Sequence, residues 1–222
     1  MPLILKNLKN NSDYIHFIYY SKELPRKNKD FLLSLSEVHD RLCVISSEDS
    51  GLRDELLNIH AQRVFGSEFS GEAVAASFKL DDDDLIAADY VESLKKYATR
   101  DFLGFAVSFG RGVLGRFDSK NNDYIGFREV YQPKVNIGLA TIDKCVVSSG
   151  VLKIKAKSRG SHTYIDKKRP LVLDSREVKF LWTKGGEQDT SVGKEEYDKK
   201  IQKRFSQLPE VSDALLKECF DI

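Results

Sequence analysis

The first half of the chain alternates between strand-like and helix-like segments, and this alternation constrains the fold more than any other feature. Four segments indicate strands: Tyr14–Tyr20, which is rich in β-branched and aromatic residues, Leu42–Ser46, the end of Gly71–Leu80 (AVAASFKL), and Phe102–Phe109. Three segments between them carry apolar residues at helical spacing: Asn28–Leu42, Leu52–Val64 and the stretch after Asp84 that holds Ile86, Tyr90, Leu94 and Tyr97. This βαβαβαβ order predicts an α/β fold with a mostly parallel sheet flanked by helices.

The second half is predicted to be rich in short strands and to end in helices. The candidate strands are Tyr124–Tyr131, Asn136–Ile142, Val146–Val147, Val151–Lys157 and Val178–Trp182. Gly110–Gly115 matches GxGxxG, but a turn-like stretch follows where a dinucleotide site needs a helix, so we predict a loop over 110–123. The tail predicts two amphipathic helices, one with Tyr197, Ile201 and Phe205 on a face and one near 210–219. We expect one domain over residues 1–222.

Bulk composition narrows the classes of protein. The formal net charge of +1 argues against a domain that coats nucleic acid. The three cysteines are odd in number and widely spaced, which fits a reducing compartment. Since no apolar run approaches the roughly 20 residues of a membrane span, we expect a cytoplasmic protein, with contact at the inner face of the membrane left open.

Four consecutive aspartates, Asp81–Asp84, follow the third predicted strand. Crowded carboxylates raise each other's pKa, and a hard divalent cation relieves their repulsion. Ligands of α/β sheets bind beyond the carboxyl ends of the strands, where this run lies. A metal there would neutralise charge on a leaving nucleoside diphosphate. The alternative is a solvated turn in which Asp84 caps the next helix.

The residues around this run resemble the metal-binding segment of GT-A glycosyltransferases, and most of all a bacterial group of rhamnosyltransferases. Phe78–Leu85 is similar to an apolar strand that ends in L-D-x-D-D, and Ala88–Leu94 is similar to a helix that opens with D-[FY]-V-x-x-L. Looser similarity is found at Tyr19–Pro25, Ser161–Thr163 and Phe180–Thr183. The resemblance covers residues 14–190. It implies a GT-A fold and transfer of a sugar from a nucleotide-sugar donor to an acceptor hydroxyl of a glycan or glycolipid, in bacterial surface polysaccharide or glycolipid synthesis.

The resemblance also implies site residues. Asp81 and Asp83 would be the DxD pair and Asp84 the next acidic residue, while a one-residue shift would put Asp82 in place of Asp81 or Asp83. The assignments that follow are donor binding by Asp81, Asp82 and Lys79, and ligation of Mn²⁺ or Mg²⁺ by Asp83, Asp84 and His162. The general base stays open among several acidic residues, with Glu129, Asp166 and Asp189 as candidates.

Two other functions stay open. GT-A domains usually begin with a strand and loop that cradle the nucleotide base, and Leu3–Leu8 is a poor substitute for them, which would fit a truncated, non-catalytic binding domain. The basic segment 153–169 could grip nucleic-acid phosphates. Asp166 with Glu177-Val178-Lys179 also mimics the D…ExK pattern of metal-dependent nucleases, although short patterns often arise by chance.

Overall fold

The computed structural model describes residues 1–49, 51–118, 120–121, 123–148, 151–154, 161–185 and 194–222, with side chains from residue 199 in the last range. The chain divides into two structural units. The first comprises Met1–Ala76, Val91–Leu103 and Ile142–Lys157, and the second comprises Ser77–Tyr90, Gly104–Thr141 and Ser158–Ile222. The expectation of one domain stays a prediction.

The first unit confirms the predicted alternation from the first strand to the second helix. Its elements begin with α1 (Pro2–Asn10), β1 (His16–Tyr20), α2 (Arg26–Val38), β2 (Leu42–Ser46) and α3 (Leu52–Phe65). The strands β1 and β2 pair in parallel from His16 opposite Leu42 to Tyr20 opposite Ser46. Strand β2 has the predicted bounds because its apolar run is largely buried. The connection through α2 makes a βαβ unit.

Helix α1 occupies the segment that contains Leu3–Leu8. Its turns are reinforced by asparagine side chains at intervals of four residues: Asn7 donates to the Leu3 carbonyl at 2.9 Å and Asn11 donates to the Asn7 carbonyl at 3.0 Å. The buried Asn7 also accepts a hydrogen bond from the Val91 amide at 3.0 Å. The segment Leu3–Leu8 is therefore part of a helix and is not the first strand of a sheet.

The next strands are β3 (Gly71–Phe78) and, farther along the chain, β8 (Ala140–Ser148). They belong to a five-stranded sheet of order β10-β5-β8-β3, in which β9 (Val151–Ile154) pairs with β8. Strand β5 (Ala106–Phe109) is antiparallel to β8 and parallel to β10 (Leu171–Asp174). The sequence patterns had not indicated β10.

The second unit contains a four-stranded sheet of order β4-β11-β6-β7. Its strands are β4 (Leu85–Ile86), β6 (Arg111–Asp118), β7 (Asp123–Tyr131) and β11 (Phe180–Lys184). The predicted loop over 110–123 is wrong, because most of it forms β6. Gly112 and Gly115 suit a strand here since the rings of Phe180 and Tyr124 fill the space that a Cβ would need.

In place of the single, mostly parallel sheet that we predicted, the described residues form three sheets, and parallel and antiparallel pairs both occur among them. A mixed α/β architecture is confirmed. The rest of the chain supplies α4 (Tyr90–Lys95), two short 3₁₀ helices (Arg100–Phe102 and His162–Lys167), and the predicted C-terminal helices α5 (Lys194–Gln207) and α6 (Asp213–Phe220). Within the described residues, no helix has both the length and the apolar character needed to cross a bilayer.

Candidate functional site

The aspartate run forms a turn between β3 and β4. The Asp84 amide donates to the Asp81 carbonyl at 3.3 Å, which closes the turn. Asp81, Asp82 and Asp83 are exposed, whereas Asp84 is 6% exposed. The chain then enters β4, and α4 begins only at Tyr90, so the prediction that Asp84 caps a helix is wrong. Three carboxylates therefore face solvent from one tight turn.

Asp84 points inward and fastens the turn to β11. Its Oδ1 accepts a hydrogen bond from the Thr183 amide at 3.1 Å, and the Thr183 hydroxyl contacts the Tyr124 hydroxyl at 2.9 Å. Burial, followed by the negative charge of Asp83, raises the pKa of Asp84 to about 7, although the Thr183 amide acts in the opposite direction. Asp84 is thus a structural anchor whose charge changes near neutral pH.

A loop over residues 132–139, between β7 and β8, contacts the aspartate turn. Asn136 Nδ2 lies 3.4 Å from Asp81 Oδ2, and the Gly138 amide donates to the Lys79 carbonyl at 3.1 Å. Gly138 has a φ of 64°, and its carbonyl accepts a hydrogen bond from the buried hydroxyl of Tyr90. The loop therefore holds both the entry to the turn and one of its carboxylates.

Lys134 connects the same loop to two residues that the sequence had singled out. Its carbonyl lies 2.8 Å from His162 Nδ1, and its Nζ lies 3.1 Å from Asp166 Oδ2. Its amide donates to the Ser108 hydroxyl at 3.1 Å. The hydrogen bond from Lys134 is the main cause that lowers the pKa of Asp166. One loop thus contacts the aspartate turn on one side and the 3₁₀ helix at His162 on the other.

The backbone of Lys134 is unusual. The Val135 amide donates to the Gln132 carbonyl at 3.4 Å, so residues 132–135 form a turn with Pro133 and Lys134 at its centre. Lys134 has a φ of 59°, in the left-handed region that such a turn normally gives to glycine or asparagine. The amide and carbonyl of Lys134 contact the side chains of Ser108 and His162 in this conformation.

Sequence reasoning missed Lys134, Asn136 and Ser108. Residues 134–139 alternate, since Val135, Ile137 and Leu139 are buried, and this period of two had indicated a strand from Asn136. The usable signal was the Gln-Pro start of the segment, which favours a turn.

The predicted site residues are brought together only in part. Lys79 and His162 are exposed, and the structure links both to the 132–139 loop. Among the residues that the structure describes, no group of three or more His, Cys, Asp and Glu side chains is close enough to hold a metal ion. The ligand set Asp83, Asp84 and His162 stays a prediction. Exposed carboxylates have the oxygen chemistry that Mn²⁺ and Mg²⁺ prefer, but Asp84 is committed to the Thr183 amide.

The candidate bases have different surroundings. Glu129 lies on β7 with its Oε1 2.7 Å from Arg111 Nε, and Asp166 is paired with Lys134. Asp189 lies outside the described residues. Glu129 and Asp166 are therefore carboxylates held by cations.

The residues that suggested a nucleic-acid function take part in separate ion pairs. Buried Lys179 pairs with Glu177 at 2.7 Å and with Asp89 at 2.5 Å, while Asp166 pairs with Lys134. The two carboxylates of the D…ExK pattern, Asp166 and Glu177, therefore pair with different lysines.

The basic segment is described only in part. Lys153 is exposed on β9, and Lys168 is exposed, while Arg169 is 3% exposed. Lys167 lies over the Tyr164 ring at 4.6 Å. Lys155, Lys157 and Arg159 lie outside the described residues.

Comparison with known families places the chain. Residues 3–196 match the family model described as "Putative rhamnosyl transferase". The chain belongs to this family. The matched region contains the aspartate turn, the 132–139 loop and the 3₁₀ helix at His162. Membership supports a rhamnosyltransferase-like glycosyltransferase with a sugar donor and an acceptor. No curated protein matches the chain.

Proposed function

We propose that the chain transfers a sugar from a nucleotide-sugar to an acceptor hydroxyl, and that the Asp81–Asp83 turn binds Mn²⁺ or Mg²⁺ together with the donor diphosphate. The observation that carries the proposal is the exposure of three carboxylates on one turn whose ends are fixed by Asn136 and Thr183. Family membership supplies the reaction class. A divalent cation bound here would stabilise the charge of a departing nucleoside diphosphate.

The turn would act mainly through positioning. Its exposed carboxylates bind the cation and orient the diphosphate, while Asp84 keeps the turn on β11 and makes no direct contact with the donor. Lys79, exposed at the end of β3, contributes a positive charge next to the phosphates.

His162 fits a role as a neutral ligand. If its Nδ1 carries the proton donated to the Lys134 carbonyl, Nε2 presents a lone pair. An imidazole held by a backbone carbonyl is the usual arrangement of histidine ligands. His162 would then face the donor through Nε2.

Asp166 is one candidate for the general base, because it pairs with Lys134 of the loop that contacts Asp81. The same pairing lowers the pKa of Asp166, so its carboxylate would have to leave Lys134 in order to accept a proton readily. The acceptor is a glycan or glycolipid in bacterial surface polysaccharide synthesis, and we place the reaction in the cytoplasm, at the inner face of the membrane.

The test replaces Asp83 with asparagine. Calorimetry with UDP, GDP and dTDP, each with Mn²⁺, should show binding of at least one nucleotide to the wild type. Asp83→Asn should weaken that binding, and turnover of the matching nucleotide-sugar should fall roughly 100-fold or more because the cation is held poorly.

Asp101→Asn is the matched control, because Asp101 is also an exposed aspartate and lies on the Arg100–Phe102 helix. It should leave binding and turnover unchanged. Unchanged turnover in Asp83→Asn would refute the assignment of the turn. Failure of all three nucleotides to bind the wild type would favour a non-catalytic domain.

A further inference from the structure

A groove of about 590 Å³ lies in the first unit, beside α1 and the C-terminal end of α2. Its lining includes Lys6, Lys9 and Arg41, with one carboxylate, Asp40, and apolar side chains such as Leu5 and Val38. This volume is within the range of ligand sites in proteins. The groove thus combines cations with apolar wall.

The groove has an excess of positive charge. The carboxylate of Asp40 is bound by Arg63, with 2.7 Å between Nη1 and Oδ2, and Arg41 Nε lies 3.9 Å from its Oδ1. Arg41 is held in place because its Nη1 donates to the Asn11 carbonyl at 2.5 Å. Lys6 and Lys9 are exposed on successive turns of α1. A phosphate is therefore a complementary ligand for the groove.

An apolar face of α2 continues from this groove. Phe31, Leu35 and Val38 lie at positions i, i+4 and i+7, and α2 has no buried residue. Phe31 is 55% exposed and Val38 is 76% exposed. Lys27, one turn before Phe31, is also exposed. Because Val38 belongs to both the groove and this face, cationic and apolar surfaces are continuous.

We propose that this surface binds a bilayer containing anionic lipid, with a lipid phosphate in the groove and the Phe31 and Val38 side chains in the interfacial region. Peripheral proteins combine apolar side chains with basic ones in this way, since each contribution alone is weak. The proposal commits to lipid because a soluble anion would leave the exposed apolar face unexplained. Binding at this surface needs no sugar donor, so it stands apart from the proposed transferase activity.

Cosedimentation with vesicles tests the proposal. The full chain should bind vesicles of phosphatidylcholine mixed with phosphatidylglycerol and should not bind phosphatidylcholine alone, and added salt should weaken the binding. The double variant Lys6→Gln/Lys9→Gln should bind roughly 25-fold more weakly, because each lysine near an anionic surface contributes about fivefold. Phe31→Ser/Val38→Ser should also weaken binding while keeping its salt dependence.

The control is Lys200→Gln/Lys203→Gln, which removes two exposed charges from α5. It should bind vesicles like the wild type, and circular dichroism should show that every variant is folded. Absence of binding to the mixed vesicles would overturn the proposal, as would an equal loss in the control. Calorimetric binding of inorganic phosphate without vesicle binding would assign the groove to a soluble anion and would also overturn it.

Discussion

Ionisation of Asp84 opposes folding, and the variant Asp84→Asn measures by how much. Asp84 is 6% exposed, and its pKa rises from 3.8 to about 7 on folding. The folded chain therefore holds this proton more tightly than the unfolded chain does. Below pH 3.8 Asp84 is protonated in both states and does not change the free energy of unfolding. Between pH 3.8 and about 7 its ionisation in the unfolded state lowers the free energy of unfolding progressively. Above about pH 7 the loss stays constant. At about 1.4 kcal/mol per tenfold change in proton affinity, the full effect is about 4 kcal/mol.

The assay is urea unfolding of the wild type and Asp84→Asn across this pH range, with a chelator present so that metal binding does not contribute. Asparagine keeps a side-chain oxygen to accept the hydrogen bond of the Thr183 amide. The variant should be more stable than the wild type by about 4 kcal/mol near pH 8, and the difference should shrink toward zero as the pH falls to about 4.

Asp82→Asn is the matched control, since it makes the same substitution at an exposed position of the same turn. It should show no comparable dependence on pH. A stability difference between wild type and Asp84→Asn that is the same at every pH would refute the reasoning. So would a variant that is less stable than the wild type near neutral pH.

Three further predictions concern folding. Burial lowers the pKa of His16 to about 4. The free energy of unfolding of the wild type relative to His16→Asn should therefore fall by about 3 kcal/mol as the pH drops from about 6.5 to 4. A difference between the two proteins that does not change with pH in urea titrations would contradict this. Gly112→Ala would press a Cβ into the buried Phe180 ring and should cost about 1–3 kcal/mol in the same assay, and an unaltered midpoint would show that the ring can move. Lys134→Gly should be more stable than Lys134→Ala by about 1 kcal/mol because only the glycine relieves the positive φ, and the reverse order would contradict the strained turn.

Local patterns were sufficient where one segment decides its own structure. Strand β2 has the predicted bounds because an unbroken apolar run between turn residues has few alternatives. Helix α3 begins at the predicted Leu52 and ends one residue after the predicted Val64. Gly66 follows with a φ of 85°, and glycine readily adopts a positive φ at the end of a helix. These elements carry their own start and stop signals.

Local sequence patterns could not predict which distant segments pair with each other. Gly112 and Gly115 indicated a loop in the sequence. In the structure they lie in a strand, where the distant Phe180 ring packs on Gly112 and the Tyr124 ring of the next strand packs on Gly115. In the five-stranded sheet β5 is parallel to β10 and antiparallel to β8, an arrangement that alternation along the chain does not determine. For the candidate site, the acidic turn was visible in the sequence, whereas its contact with Asn136 joins residues 55 positions apart.

Two unfavourable local features lie in the aspartate turn and in the 132–139 loop that contacts it. Among the described residues, only Lys134 and Asp221 are non-glycine residues with positive φ, and Asp221 has a structural reason because it ends α6. Lys134 ends no helix and contacts the elements that carry His162 and Asp166. Asp84, which anchors the turn, is a buried carboxyl with a pKa near 7. Strained backbone and carboxyls with perturbed pKa values are more frequent at functional sites than elsewhere. Their occurrence in one turn and one contacting loop therefore supports the proposed site independently of the family match.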